Sequence, residues 1–311
     1  MSSEETIAAI DLGTNTARLL IADRCADGSM AQLFLERTIV RLGGGFCRER
    51  GLSSEACERG LQCLRMFSRH IASHDVSQIR AVATSAVRDA VNGADFVRQV
   101  AAETGIQLSV ITGEDEGTLT IAGVLYGLTH PAQAVLMFDV GGGSTEFTLA
   151  IEGAPVFVMS LPLGVVRLTE GHRTIGAMRD KIERELDLLQ KALRPQMERL
   201  PSQPLLVATA GTATTLAAIS LGMEEYDYRL VNNHTLPYEE VTRILRLLLP
   251  LSCQDRLMVP GLEAGREDLI IAGTLITQTV MERLGYKTLI VSDYGLLEGL
   301  VVSNHFGCIS R

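Results

Sequence analysis

Residues 135–149 read VLMFDVGGGSTEFTL. The apolar run Val135 to Phe138 predicts a buried strand that carries Asp139 at its carboxyl end. Gly141, Gly142 and Gly143 follow, then Ser144, Thr145 and Glu146, before strand-like apolar character resumes at Phe147 to Leu149. Consecutive glycines accept backbone angles that other residues resist and let main-chain N–H groups approach a ligand closely. A tight loop of such donors with hydroxyls beside it forms a phosphate cradle. No Gly-Lys-Ser/Thr follows and the next segment reads as a strand, so this is not a P-loop. On this stretch alone, a plain hairpin turn explains the pattern equally well.

A second copy separates the two readings. Residues 7–20, IAAIDLGTNTARLL, repeat the plan of apolar strand, aspartate, glycine-containing turn with hydroxyl or amide residues, and second strand. Both copies fit Asp-x-Gly-x-x-Ser/Thr: Asp11, Gly13 and Thr16 in one, Asp139, Gly141 and Ser144 in the other. Their separation is too long for a solenoid repeat. It predicts two similar lobes, each opening with a strand–turn–strand and facing the other across a cleft. A strand-end aspartate in each lobe suits a metal or metal-bound water, and two N–H-rich turns suit a polyphosphate.

Bulk properties narrow the field. A chain of 311 residues is long for a single core and fits two domains. The net charge of −9 argues against generic binding to nucleic acid or to an anionic membrane, so a polyanionic ligand needs a local basic patch. The six cysteines form no C-x-x-C pair and no metal-ligand spacing, which predicts reduced thiols packed as small hydrophobes. The start, MSSEET, has neither a basic nor an apolar region of a signal peptide. The longest nearly apolar stretch, Leu269 to Met281, is too short and too rich in threonine to span a bilayer. A cytoplasmic protein is the expectation.

Along the chain, 30–38 predicts a third strand, and RLGGGF (41–46) a glycine-rich loop. Ser53 is the expected N-cap of a helix whose apolar face is Cys57, Leu61, Leu64, Phe67 and Ile71. His70 and His74, four apart near its end, lack a nearby third ligand and read as an exposed helix terminus. A strand at 79–83, a turn TSAVRDA, a helix 93–103 closed by Gly105 and a strand at 106–111 follow. This alternation implies a mixed sheet with helices on its faces. TGEDEG (112–117) is expected as a loop with a helix opening behind it at 118–127. The second half predicts strands at 135–140, 145–151, 155–160, 205–209 and 287–292. Its helices are a long one through Ile182 to Met197, one after the turn AGTATT, one at 238–249, a buried one over 265–285 and a last one from Tyr294.

Candidate residues have four tasks to serve: to grip phosphates, hold a cation, position water and accept its proton. Gly13, Thr14, Asn15 and Thr16, and Gly141, Gly142, Gly143, Ser144 and Thr145, supply the grip through backbone donors. Asp139 and Asp11 are the metal candidates, although each aspartate could instead cap its own turn. Glu146, leaving the second turn, and Glu116, in the GEDEG acid run, can act on water, although such a run is ordinarily a solvated loop. Arg18, Arg88 and Arg266 are the basic candidates; singly they read as solubilisers, together as forked phosphate donors.

With these residues in hand, the chain resembles the exopolyphosphatase / guanosine pentaphosphate phosphohydrolase family, within the actin-like, sugar-kinase and heat-shock ATPase superfamily. The motifs that carry the likeness are IDLGTNTARLL, ATSAVRDA, ITGEDEG, FDVGGGSTEF, LPLGVVRLTE, AGTATTLAA, IIAG and SDYGLLEGL, in family order over essentially the whole chain. The resemblance implies an α/β fold of two actin-like (ribonuclease H-like) lobes with a cleft between them. Lobe I would span 1–120 and lobe II 121–297, with a last helix, about 298–311, packing back on lobe I.

The resemblance also implies roles. Glu116 matches the family's general base and Glu146 its second catalytic carboxylate. Asp139 matches a residue near the metal, Mg2+ or another divalent cation, and Arg18, Arg88 and Arg266 match phosphate or nucleotide contacts. The implied substrate is inorganic polyphosphate or guanosine pentaphosphate, with no nucleic acid or membrane partner, and a homodimer is left open. The chain departs from the family in having Asp115 beside Glu116, where two glutamates are common, and in the glycine richness of Gly43 to Gly45. Longer relatives carry an additional C-terminal helical domain that this chain is expected to lack. A nucleotide-driven scaffold or chaperone of the same superfamily is the alternative, and it predicts ATP binding without polyphosphatase activity.

Overall fold

Apolar residues on both faces of the first strand bury it between two helical layers, which makes it the centre of a sheet. The structure is a computed structural model and describes residues 5–47 and 49–303. Of the described residues, those from 5 to 126 and from 295 to 303 form one compact unit, and Gly127–Tyr294 form the other. The expected boundary at 120/121 falls inside a continuous helix, and the units divide at that helix's end.

The first unit opens with β1 (Glu5–Leu12), β2 (Thr16–Arg24) and β3 (Met30–Ile39). It continues with α1 (Ser54–Ala72), β4 (Gln78–Ala83), α2 (Ser85–Arg88), α3 (Gly93–Thr104), β5 (Leu108–Val110) and α4 (Gly113–Gly127). Its sheet has the order β3-β2-β1-β4-β5, in which the first three strands are antiparallel and β4 and β5 run parallel to β1.

The second unit opens in the same way with β6 (Ala134–Val140), β7 (Thr145–Ile151) and β8 (Ala154–Leu161). Then come α5 (Val165–Gly171), α6 (Ile175–Met197), β9 (Leu205–Thr209), α7 (Ala210–Leu221), α8 (Tyr228–Val231) and β10 (Thr235–Pro237). It closes with α9 (Tyr238–Leu248), α10 (Cys253–Arg256), α11 (Ile270–Leu284) and β11 (Thr288–Val291), before α12 (Leu296–Val302) returns to the first unit. Its sheet order is β10-β11-β9-β6-β7-β8, the first unit's order with β10 added at one edge.

In the first unit, Phe67, Leu64 and Leu61 of α1 and Phe96 of α3 pack on one face of the sheet. Leu296, Leu297, Leu300 and Val301 of α12, with Leu119 of α4, cover the other. Burying such a side chain stabilises the fold by about 1.5–3 kcal/mol each, which explains why a seven-residue helix stays docked. Two glycines let α12 come this close: a Cβ on Gly299 would stand 1.9 Å from the Leu119 carbonyl oxygen, and one on Gly123 2.0 Å from that of Gly295. Residues 304–311 of the expected last helix lie outside the described residues.

Several local expectations need correction. Residues 112–117 are not a loop: α4 begins at Gly113, so the acid run is its first turn. Thr112 and Asp115 close that turn reciprocally. The Asp115 amide donates to Thr112 Oγ1 (3.1 Å), and the Thr112 amide and hydroxyl donate to Asp115 Oδ2 (3.3 and 2.7 Å). That is a capping box. TSAVRDA contains the short helix α2, and α7 begins at Ala210 with no preceding turn. The buried helix starts at Ile270, five residues later than expected, and the last one at Leu296. Ser53 caps α1 as expected, accepting from the Ala56 amide, and Gly105 closes α3 in the left-handed region.

Candidate functional site

In the first unit the candidate residues gather at the carboxyl edge of β1, β4 and β5. Asp11 lies at the end of β1, and the β1–β2 ladder places Arg18 directly opposite. Arg18 donates to Asp11 Oδ2 through Nη2 (2.7 Å) and Nε (3.1 Å), so the two side chains neutralise one another. The turn between them closes through the Gly13 amide on the Thr16 carbonyl (3.0 Å). A Cβ on Gly13 would stand 3.0 Å from that same oxygen.

The glycine cluster after β3 packs against this turn. The Gly43 amide donates to the Thr14 carbonyl (2.8 Å), and the amides of Val40 and Arg41 donate to the Asn15 carbonyl (2.9 and 2.8 Å). No cis peptide occurs among the described residues. Across a trans peptide the N–H points opposite to the C=O, so the amides of Asn15 and Thr16 point away from the 40–43 segment. Glycine at 43 leaves room for the Thr14 side chain, since a Cβ there would stand 2.3 Å from Thr14 Cγ2 and force that side chain to move. The Asn15 side chain is buried, and its Oδ1 has no hydrogen-bond partner among the described residues.

β4 leads into α2 and β5 into α4, and these connections bring Arg88 to Glu116. Arg88 Nη1 donates to the Ile111 carbonyl (2.9 Å) and to Glu116 Oε2 (3.3 Å). The three acids of the first turn of α4 thus separate by environment. Glu114 is exposed, Asp115 is spent on the cap, and Glu116 is buried against Arg88.

The second unit repeats the turn. The Gly141 amide donates to the Ser144 carbonyl (3.0 Å), and a Cβ on Gly141 would stand 3.1 Å from that oxygen. The backing element here is the start of α5: the amides of Val165 and Val166 bind the carbonyls of Gly141 (3.0 Å) and Gly142 (2.9 Å). The amides of Gly142 and Gly143 therefore point away from α5. Gly164 permits the approach, since its Cβ would stand 2.3 Å from the Gly142 oxygen. Thr145 Oγ1 donates to the Leu163 carbonyl and ties the turn down from its other end.

Across the β6–β7 ladder, Asp139 faces Glu146, and Ser160 Oγ donates to Glu146 Oε1 (2.7 Å). Both carboxylates are buried. No group of three or more His, Cys, Asp or Glu among the described residues could hold a metal. Two neighbouring carboxylates suit a hard cation that keeps much of its own water, as Mg2+ does.

Next to Asp139 in the sheet is Thr209, after which α7 begins at once. Arg266 rests here: a Cβ on Gly211 would stand 1.8 Å from its Nη1, and its Nε donates to Glu263 Oε2 (3.1 Å). Asp11, Arg18 and the 13–16 turn come together in the first unit, as do Arg88 and Glu116. In the second, Asp139, Glu146 and the 141–145 turn come together, with Arg266 over the start of α7. Sequence reasoning noted the Gly43 to Gly45 cluster without a role, left Gly164 unremarked inside LPLGVVRLTE, and missed Ser160 just before that motif.

The duplicated sheet order, with an aspartate-bearing turn at the same place in each copy, defines an α/β protein of the actin-like class. The chain belongs to the Ppx/GppA phosphatase family, whose pattern matches residues 21–305. It is 32% identical to exopolyphosphatase 2 of Mycobacterium tuberculosis, over 96% of this chain and 98% of the relative. It is 31% identical, over 95% of its length, to the bifunctional 3-dehydroquinate synthase/phosphatase of Fusobacterium nucleatum, of which it spans 46%. Among solved structures, the Ppx/GppA enzyme of Aquifex aeolicus superposes with a TM-score of 0.80 at 32% identity, covering 97% of this chain and 100% of that one. No helix among the described residues is long and apolar enough to cross a membrane.

Proposed function

We propose that this chain hydrolyses a phosphoanhydride, releasing terminal orthophosphate from inorganic polyphosphate or from guanosine pentaphosphate. The observation that carries the reading is the pair of turns whose carbonyls are drawn back by a second element, leaving successive amides directed outward. Phosphoryl transfer asks mainly for positioning and charge neutralisation, and such turns serve the first need.

In this reading the amides of Asn15, Thr16, Gly142 and Gly143 bind phosphoryl oxygens, and the hydroxyls of Thr14, Ser144 and Thr145 flank them. Asp139 and Glu146 hold the divalent cation, Mg2+ or one like it, which when bound neutralises charge on the phosphoryl group. Asp11, already paired with Arg18, fixes the first turn and that guanidinium rather than serving as a principal ligand. Glu116, oriented by Arg88, takes the proton of the attacking water. Arg266 adds cationic charge beside the amino end of α7, where backbone N–H groups already favour an anion.

The test is phosphate release from polyphosphate, guanosine pentaphosphate and ATP at matched phosphate concentration with MgCl2 present. Turnover of polyphosphate or guanosine pentaphosphate well above that of ATP is the expected result. Turnover of ATP alone would favour an ATPase scaffold instead.

A further inference from the structure

The two phosphate-gripping turns are backed by different kinds of structure. In the second unit the backing is the first turn of α5, whose own helical bonding keeps it in place; the Leu168 amide, for example, donates to the Gly164 carbonyl (2.8 Å). In the first unit the backing is the irregular segment 40–44. There Arg41 sits at φ 44°, in the left-handed region that side chains other than glycine resist. A strained segment keeps its shape only when its surroundings over-determine it.

One side chain outside both turns does this. Arg59, on α1, donates Nε to the Val40 carbonyl (2.9 Å) and Nη2 to the Arg41 carbonyl (3.0 Å). The amides of the same two residues donate to the Asn15 carbonyl, and the Gly43 amide to that of Thr14. Residues 40 and 41 are thus held on one side by the guanidinium and on the other by the turn. We propose that Arg59 is a positioning residue that sets the geometry of the Gly13–Thr16 turn through the Val40–Gly43 segment. The planar guanidinium suits the task, because its donors form a rigid fork that spans two successive carbonyls. Its role rests on reading the 13–16 turn as a phosphate grip.

The mechanical claim is tested apart from activity. Hydrogen exchange in peptides covering 13–17 and 39–45 is compared between wild type and Arg59→Met, without substrate. Faster exchange confined to these segments and their contacts is expected, and unchanged exchange in both overturns the brace. The functional consequence is tested by phosphate release from polyphosphate with MgCl2, well below the melting temperature of each variant. Arg59→Met is expected to lower kcat/KM about tenfold to a hundredfold, the scale of a small misplacement of a binding group, chiefly through KM. Arg59→Lys, which reaches one carbonyl at a time, should recover part of the loss.

Gly43→Ala disturbs the same turn directly, so the double variant Arg59→Met/Gly43→Ala should lose less than the two single losses combined, whereas Arg59→Met with Arg266→Ala should be additive. Full additivity in the first pair, or a kcat/KM in Arg59→Met equal to wild type, overturns the positioning role. A wild-type chain that releases no phosphate refutes the functional reading and the substrate-positioning role with it, while the exchange result still decides the brace.

Discussion

Glu146 lies directly across the β6–β7 ladder from Asp139, and the two buried carboxylates are 1% and 8% exposed. The first unit has an arginine at the equivalent place, Arg18 across from Asp11. Like charges directly opposite one another on a sheet destabilise it, by up to roughly 1 kcal/mol. Ser160 donates a hydrogen bond to Glu146. A divalent cation would turn this repulsion into binding, and whatever binds the folded state alone stabilises it, by about 2.7 kcal/mol at a hundredfold excess over Kd. MgCl2 is therefore expected to raise the melting temperature of the wild-type protein. Asp139→Asn and Glu146→Gln should lose most of that response, and Glu146→Gln should melt no lower than wild type when metal is absent. Thermal scans with and without MgCl2 measure this, and an equal rise in all three proteins would remove the pair as the metal site.

The repeat was legible in the sequence because each copy couples a buried strand to a glycine turn, and turn chemistry of that kind is local. Glu116 stood out in the sequence as an acid of the GEDEG run, but its setting was misread. The acid run looks solvated, and only the reciprocal bonding of Thr112 and Asp115 makes it a helix start. That signature, Thr-x-x-Asp, was present to be read. The backing of the turns was not legible, because it depends on which distant segment returns to the strand end. Gly43 sits beside Thr14, and Gly164 beside Gly142, through tertiary packing whose mark in the sequence is a glycine, one within the 43–45 triplet and one within LPLGVVRLTE. β10 escaped notice because three residues ending in proline carry no strand periodicity.

Gly211 and Arg266 form another close approach, and it yields a kinetic prediction. The guanidinium occupies the volume a methyl group at 211 would fill, so Gly211→Ala should displace Arg266 about as effectively as Arg266→Ala removes it. If Arg266 contacts non-reacting phosphate, it contributes uniform binding, and both variants should raise KM with kcat nearly unchanged. Combining them should add little to either alone. Steady-state kinetics on polyphosphate at several salt concentrations give the answer. A collapse of kcat at saturating substrate would place Arg266 on the transferred phosphoryl group instead.

His234 gives the second unit an acid-sensitive point. Its Nε2 is buried with no hydrogen-bond partner among the described residues, and desolvation holds its pKa below the usual value near 6.5, an effect that the nearby Glu240 opposes. The unfolded chain therefore takes up this proton more readily than the folded one. The stability it contributes is complete above the unfolded pKa and falls as the pH drops below it toward the lower folded value. Melting temperatures followed from about pH 7.5 to about pH 5.5 should decline, and His234→Gln should flatten part of that slope. Parallel curves for the two proteins would show that His234 does not titrate differently on folding.

Arg88 bridges the Ile111 carbonyl and Glu116, which changes what its loss should do. An arginine that met only substrate phosphates would affect KM alone. One that also orients the general base should lower kcat when removed, because the carboxylate loses its fixed direction toward water. Glu116→Gln keeps the size and the contact with Arg88 but removes basicity. It should cost on the order of 10²–10⁴ in kcat, the usual range for a general base, while polyphosphate binding holds or tightens as one negative charge disappears. Glu114→Gln, exposed on the same helical turn, is the control and should be near normal. Arg88→Ala should fall between these two in kcat and also raise KM, and Arg88→Lys should recover part of kcat. Phosphate release and equilibrium binding are measured on all four variants. Near-normal turnover in Glu116→Gln, or an equal loss in Glu114→Gln, would take the base role from Glu116. A pure KM effect in Arg88→Ala would leave that role standing but make Arg88 a substrate contact only.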